Sequence, residues 1–429
     1  MTDRFKAVIV GAGPAGSTAA YLLARAGLEV LLVERGESPG SKNMFGGRMY
    51  SYALARIIPG FWEEAPLERP VVREVLTVMS GESSVSVACQ EESWGRPPYH
   101  SYTLLRAEFD AWLAAKAEEA GALIACGIRI DDLLREKGKV VGVRAGDDEI
   151  FADVVIAADG ANSLLAEKAG LGSRPGPHQV AVGAKQIIEL PADQISQRFG
   201  LAEGQGAAGL YLGSCTKGVP GGGFLYTNKD SISLGLVVNA GGFEDCPFLM
   251  SGLVEEFKAH PAIAPLIEGG RVAEYSAHLV PEGGLGMAPR LIGDGILVAG
   301  DAAGMVLNLG YQVRGMDLAI ASGEAAAQAV IEAEEKNDFS RQGLSGYRER
   351  LKRGVLRDME FYRNSPRFLA NRRLYCQYPQ LVTGMAAGLF TVDGSAPGHL
   401  LGKALSQIRR SGIGVIRLLS DAWKGGRWL

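Results

Sequence analysis

The residues with the plainest chemical reading stand near the start of the chain. Gly11, Gly13 and Gly16 form G-x-G-x-x-G, with Pro14 and Ala15 inside the motif and Glu34 closing the next apolar run. Glycines at this spacing let the backbone turn tightly and approach a pyrophosphate. A helix starting there offers N–H groups and partial positive charge, and an acid at the end of the following strand takes ribose hydroxyls. The flanking residues supply those elements: KAVIV (6–10) reads as a strand, STAAYLLARAG (17–27) as an alanine-rich helix and EVLLVER (29–35) as a second strand. Strand, turn, helix, strand and acid occur in the order that a dinucleotide half-site needs, which favours that reading over a glycine turn serving packing alone.

Further candidates lie at the ends of other elements. Arg106 opens the helical stretch 104–121, in which Leu105, Phe109, Leu113 and Ala117 share a face. An arginine at a helix start opposes the macrodipole unless an anion compensates it, either a phosphate or a surface partner, Glu108 or Asp110. Asp159 and Gly160 end the strand VVIAADG, and Gly300 and Asp301 end ILVAGDAAG. Gly310 and Gly315 bracket Tyr311–Arg314, after which Met316 and Asp317 open a long helix; Asp317 reads equally as an ordinary first-turn acid. In GGGF (221–224), Gly222 and Gly223 enter a strand, where glycine is costly unless something approaches the backbone; a β-bulge is the alternative.

These elements imply an α/β chain. The spacing predicts a Rossmann-like dinucleotide-binding domain from residues 1–50, 103–175 and 290–335. A mixed β-sheet substrate domain is inserted from 51–102 and 176–289, and a helical region covers 336–429. In that last region Leu405, Ile408, Gly412, Ile416, Leu419 and Trp423 fall on one helical face, with Arg409, Arg410, Arg417 and Lys424 beside it. Such a helix docks on anionic lipid, on an acidic partner or on the chain's own body.

Composition narrows the classes. The chain has 429 residues, 47% hydrophobic and 21% charged, with 58 glycines in no collagen-like period, as in a turn-rich globular protein. A net charge of −4 argues against nucleic-acid binding by bulk positive charge. Cys89, Cys126, Cys215, Cys246 and Cys376 lie too far apart in sequence for a zinc or iron–sulphur motif, and their odd number fits a reducing compartment. The five histidines form no metal-like or triad-like pattern, and no metal ligand is assigned. Met1–Lys6 is too short for a signal peptide, and no apolar run approaches the roughly 18 residues of a membrane span. The expected location is cytoplasmic, with a peripheral contact at the inner face of the membrane left open.

The glycine–acid pairs after Arg106 resemble the FAD-binding superfamily of glutathione-reductase-like and hydroxylase-like enzymes. ERGESPGSKNMFGGRMY (34–50), GGGFLYTNKDSISLGLV (221–237), EYSAHLVPEGG (274–284), FTVDGSAP (390–397) and above all GDAAGMVLNLGYQVRGMDLAIASGEAAA (300–327) resemble FixC-type electron transfer flavoprotein:quinone oxidoreductases over essentially the whole chain. The resemblance implies FAD as cofactor, with Asp301 on its ribityl or pyrophosphate portion and Asp159–Gly160 nearby. It places Glu34, Arg35, Lys42 and Asn43 in a stretch that folds over the cofactor, and Gly46 and Gly47 where the chain passes the isoalloxazine; Lys42 as a solvated charge is the alternative. N–H groups at the helix start after Gly310 and Gly315, at Met316 and Asp317, would face the pyrimidine oxygen, where negative charge gathers on reduction. Gly222 and Gly223 would border a quinone.

The family implies electrons taken from a two-subunit electron transfer flavoprotein and passed to a quinone, to a small separate ferredoxin-like protein, or to both. The longer relatives end in a four-cysteine [4Fe-4S] domain; here only Cys376 follows Cys246, so this chain cannot hold that cluster. Electron transfer requires no acid–base catalyst, and none is assigned. The alternative is an FAD-dependent reductase or monooxygenase acting on a small or lipid substrate, geranylgeranyl-reductase-like; a non-enzymatic flavin-holding assembly subunit is the third class. No second G-x-G-x-x-G for NADPH is present.

Overall fold

The computed structural model describes residues 4–42, 47–243, 249–394 and 398–429. The first apolar run forms β1 (Arg4–Val10), followed by α1 (Pro14–Arg25) and β2 (Val30–Val33). The strands pair in parallel, Ala7 opposite Val30 and Val10 opposite Val33, because the helix carries the chain back to the starting end. β3 (Arg48–Tyr50), α2 (Tyr52–Ile57), β4 (Leu67–Ser80), β5 (Ser83–Gln90) and β6 (Ser101–Leu104) leave this sheet; α3 (Arg106–Glu119) and β7 (Leu123–Ala125) return to it. β8 (Asp132–Glu136), β9 (Lys139–Ala145) and β10 (Asp148–Ala157) complete its middle, with β10 parallel to β1. The last four residues of β1 and β10 and all of β2 are buried, as expected of strands covered on both faces.

After α4 (Leu164–Lys168) the chain enters a second sheet through β11 (Val180–Glu189), α5 (Ala192–Phe199), β12 (Gly206–Gly213), β13 (Gly221–Thr227), β14 (Ser231–Asn239), α6 (Met250–Ala259), α7 (Ala264–Ile267) and β15 (Arg271–Pro281). Its order is β15-β11-β14-β13-β12-β4-β6-β3, antiparallel except where β12 runs parallel to β4. β16 (Ile292–Gly293) and β17 (Ile296–Val298) rejoin the first sheet, whose order is β16-β17-β10-β1-β2-β7. A ribbon of β18 (Leu307–Asn308) and β19 (Val313–Arg314) leads into α8 (Met316–Glu335). α9 (Gly346–Lys352), α10 (Val355–Phe361), α11 (Ser365–Leu369), α12 (Gln377–Phe390), α13 (Leu400–Arg410) and α14 (Val415–Trp428) follow.

The structure departs from the expected organisation in two places. β3, at the end of the expected segment 1–50, pairs with β6 in the second sheet. The chain beyond residue 336 is helical, as expected, and packs on the first sheet: Tyr347, Leu351, Val355 and Met359 are buried in its core, and the Tyr347 hydroxyl donates to the Val298 carbonyl at 2.8 Å. The amphipathic C-terminal helix is two helices, because Gly412 takes a left-handed φ of +68° and breaks the run between α13 and α14. Asp421 fastens α14 by accepting from Arg373, Tyr378 and Asn371.

α8 crosses α1 closely because Gly323 has no side chain: a Cβ there would lie 2.2 Å from the Ala15 carbonyl oxygen. Gly323→Ala is expected to overpack this crossing and destabilise the protein by about 1–3 kcal/mol, measured as the shift in denaturant midpoint of the cofactor-saturated protein.

Candidate functional site

At the end of β1 the turn is made of backbone packed on backbone. Gly11 has φ +103°, and a Cβ there would lie 2.3 Å from the Ala158 carbonyl oxygen; one on Gly16 would lie 1.9 Å from that of Gly11. Gly13 begins α1 with no side-chain cap, so the helix's first N–H groups are left for another acceptor. Glu34 ties the turn to β2: its Oε2 accepts from the Ala12 N–H at 3.0 Å and its Oε1 from the Gly36 N–H at 2.7 Å. Each carboxylate oxygen keeps a lone pair for a hydroxyl.

Arg106 is paired with Asp110, one of the two expected partners, but the pair is buried rather than at the surface. The guanidinium reaches both carboxylate oxygens, at 2.9 and 2.6 Å. Burial works against its charge, and the Asp110 carboxylate more than offsets that. Arg106 Nη2 lies 3.9 Å from where a Gly13 Cβ would stand, so the cation sits beside the glycine turn. Burial raises the Asp301 carboxyl above its ordinary range while Arg106 pulls it down. Asp159 Oδ2 accepts from the Leu165 N–H at 3.0 Å, while the buried Oδ1 has no partner among the described residues.

These groups border one cavity of about 820 Å³ between the two sheets, within the range of sites that hold a large organic molecule. Gly11, Gly13, Pro14 and Ala15 line one end with Glu34, Arg35, Lys42 and Arg106. Asp159, Gly160, Gly300 and Asp301 also line it, with Gly47, Gly310, Gly315 and Met316. Gly222 and Gly223 of the second sheet line it too, as do Tyr226 and Glu282. Asn43 and Gly46 fall outside the described residues.

Two assigned residues do not line this cavity. Gly16 packs behind the turn against Gly11. Asp317 faces away, its carboxylate held by Arg314 at 2.8 Å and by the Tyr52 hydroxyl. Gly222 and Gly223 pair in unbroken register with Val237 and Leu236, so they are no bulge. A Cβ on Gly223 would lie 2.7 Å from the Phe257 ring, and one on Gly222 would lie 2.9 Å from the Tyr211 carbonyl oxygen. Gly223 is therefore bare because Phe257 of α6 packs on it, and Gly222 because the backbone of β12 comes close.

Two groups escaped the sequence reading. Arg48 crosses the second sheet to a buried pairing with Glu74 and stacks on Tyr50, its guanidinium carbon 4.6 Å from the ring centroid. Glu282, a half-buried carboxyl on the cavity wall, takes hydrogen bonds from the side chains of Asn239 and Asn308. Only its place in the PEGG turn marks Glu282 in the sequence; the two asparagines reach it from distant segments.

The geometry can be set beside known proteins. Protein FixC of Escherichia coli (strain K12) is 52% identical over 423 residues, 99% of this chain and 98% of that protein. A probable electron transfer flavoprotein-quinone oxidoreductase, YdiS, of the same strain is 50% identical over 424 residues, with the same coverage. The family model described as ETF-QO/FixC family C-terminal domain matches residues 365–429. The chain belongs to the ETF-QO/FixC family. A second model, FAD dependent oxidoreductase, matches residues 7–200. A geranylgeranyl bacteriochlorophyll reductase-like protein from Thermoplasma acidophilum has a similar fold, with a TM-score of 0.74 and 23% identity over 98% of this chain and 100% of that one. The myxobacterial chondrochloren halogenase CndH gives 0.64 at 18% identity over 99% and 91%.

The protein is an FAD-dependent oxidoreductase, with the FAD-binding fold and a helical C-terminus. Its residues fit that cofactor: an uncapped helix start over a turn without side chains suits the pyrophosphate, and the orphaned Asp159 Oδ1 offers an acceptor to a hydroxyl or amine. Glu34→Gln puts an amide N–H against the N–H of Ala12 or Gly36. It is expected to cost about 1–3 kcal/mol and to weaken FAD binding by about tenfold or more, measured by titrating FAD into the stripped protein.

Proposed function

We propose that this protein takes electrons from a reduced electron transfer flavoprotein and passes them to a quinone or to a separate ferredoxin-like iron–sulphur protein. The observation that carries this reading is the chain-long 50% identity to a relative whose name is that of an electron transfer flavoprotein-quinone oxidoreductase. Bound FAD supplies chemistry in steps of one or two electrons. The chain's residues hold and bias it. The α1 start with Gly11, Gly13 and Ala15 takes the pyrophosphate, Glu34 the ribose, and Arg106 and Asp301 the phosphate and ribityl portion.

The uncapped start of α8 at Gly315 and Met316 meets the pyrimidine edge, and its dipole favours the added negative charge. Arg35, Lys42, Gly47, Asp159, Gly160, Gly300 and Gly310 complete the envelope. Gly222 and Gly223, on the cavity wall, border a flat acceptor ring. On this reading residues 4–42 with the first sheet and α8 are the cofactor body, and the second sheet is the acceptor body.

Anaerobic addition of reduced electron transfer flavoprotein is expected to bleach the visible flavin bands of the purified protein, and a short-chain quinone to restore them. Bleaching by dithionite but not by the flavoprotein would remove the donor from this reading.

A peripheral membrane contact belongs to the same proposal. Among the described residues no helix is long and apolar enough to cross a membrane. The C-terminal helices nevertheless expose Leu400, Leu401, Ile416, Leu419 and Trp423, with Ile416 86% accessible, beside Arg409, Arg410, Arg417 and Lys424. An apolar face edged with cations suits an anionic bilayer surface. The double variant Ile416→Glu, Leu419→Glu is expected to lose sedimentation with anionic vesicles while keeping its flavin spectrum.

A further inference from the structure

Glu282 is held in a way that electron transfer alone does not require. Its backbone N–H donates to the Gln179 carbonyl at 2.8 Å, which fixes the residue at the end of β15. Its carboxyl lies between two asparagines whose amides are each pinned by a backbone glycine. Asn308 Oδ1 accepts from the Gly310 N–H at 2.8 Å, and Asn239 Oδ1 accepts from the Gly241 N–H at 3.1 Å. With both amide oxygens engaged by donors, both NH2 groups must point the other way. Asn239 Nδ2 gives one hydrogen to the His178 carbonyl at 3.1 Å. Both asparagines donate to Glu282.

The clamp therefore aims neutral donors at one carboxyl on the wall of the cavity that takes the flavin. Burial pushes this carboxyl up to about 7, and the asparagine hydrogen bonds pull only partly against it. Of the other titratable groups, Tyr375 before α12 feels its charge, and the cavity wall also carries His178, His278, Arg314, Arg363 and Arg372. Tyr375 donates its hydroxyl hydrogen to the Leu369 carbonyl at 2.7 Å, and burial holds its phenol well above the ordinary range, so it remains protonated. Glu282 is then a carboxyl on the cavity wall that can hold or release a proton near neutral pH.

We propose that Glu282, clamped by Asn239 and Asn308, delivers a proton to the acceptor as the acceptor is reduced. The proposal rests on the quinone reading above. A quinone becomes a quinol by gaining two electrons and two protons. Both electrons and one proton come from the reduced flavin. The other proton comes from the Glu282 carboxyl, whose O–H bond breaks as the acceptor's second O–H bond forms; the carboxylate regains a proton from solvent. The fixed NH2 groups stabilise the carboxylate left behind at that moment.

The test compares FAD-loaded wild type with Glu282→Gln and Glu282→Asp. Infrared spectra are expected to show a protonated-carboxyl band in the wild type at pH 5.5 that disappears by pH 8.5 and is missing from Glu282→Gln. Reoxidation of the dithionite-reduced protein by a water-soluble short-chain quinone is expected to slow about tenfold per pH unit above pH 7 in the wild type. In Glu282→Gln it should be about 10² slower and flat with pH, with partial recovery in Glu282→Asp. Reoxidation by ferricenium, which takes an electron without a proton, is expected to be equal in all three, which a merely structural role of Glu282 would not allow.

A Glu282→Gln variant that keeps the wild-type pH profile with quinone, or keeps the carboxyl band, overturns the proton role and leaves the acceptor reading standing. A wild type that is reduced by the donor but never reoxidised by quinone overturns the acceptor reading, and the proton role falls with it.

Discussion

Backbone packed against backbone is the constraint on which the rest of this molecule depends. At Gly11, Gly16 and Gly323 a single added carbon would fall within 2.3 Å of a carbonyl oxygen. Removing those carbons brings β1, β10, α1 and α8 close enough for the starts of two helices to open on the same cavity. Neither start carries a side-chain cap. The partial charges that a serine or aspartate would normally satisfy are left unspent at both starts. A cap at either place would stabilise the isolated helix and spoil the site.

The side-chain charges follow from the same geometry. Arg106 enters a buried position beside the glycine turn, and Asp110 one helical turn on compensates it, so the guanidinium is stiff before any phosphate arrives. Arg314 and Asp317 form a second pair below the start of α8, joined by Tyr52 and Asp358. That pair ties the loop leading into the helix and keeps the Asp317 carboxylate off the cavity wall. An acid in the first turn therefore leaves the helix start open because its charge is spent on a neighbouring arginine.

Local chemistry was legible in the sequence; convergence was not. The first β–α–β unit, α3 and α8 declare themselves by periodicity and by the glycines at their ends, and the family resemblance extended over the whole chain. The break at Gly412 was visible as a glycine of low helix propensity, but an amphipathic pattern carried across it disguised two helices as one. The boundary expected at residue 50 fell just beyond β3, because three residues carry no period and their place is decided by pairing with β6 some fifty residues away. Tyr347 looks like any aromatic in a polar stretch, and only the fold brings its hydroxyl to the end of β17. Glu282 shows the limit most sharply, since the asparagines that define it come from β14 and β18 and share no sequence interval with it.

That last case bears on what a single chain contributes to an electron relay. Electrons cross gaps between partners without bonds being made, so donor and acceptor faces can be broad and chemically plain. Protons move along hydrogen bonds, and a two-proton acceptor needs a donor within contact. The first sheet and its helix starts form a largely prearranged electrostatic mould, whereas the ends of β14, β15 and β18 hold a carboxyl between fixed amides. A chain that transmitted only electrons would gain nothing from that clamp, and a simple buried hydrophobe would pack there at less cost. The clamp makes sense where the product of the relay carries hydrogen.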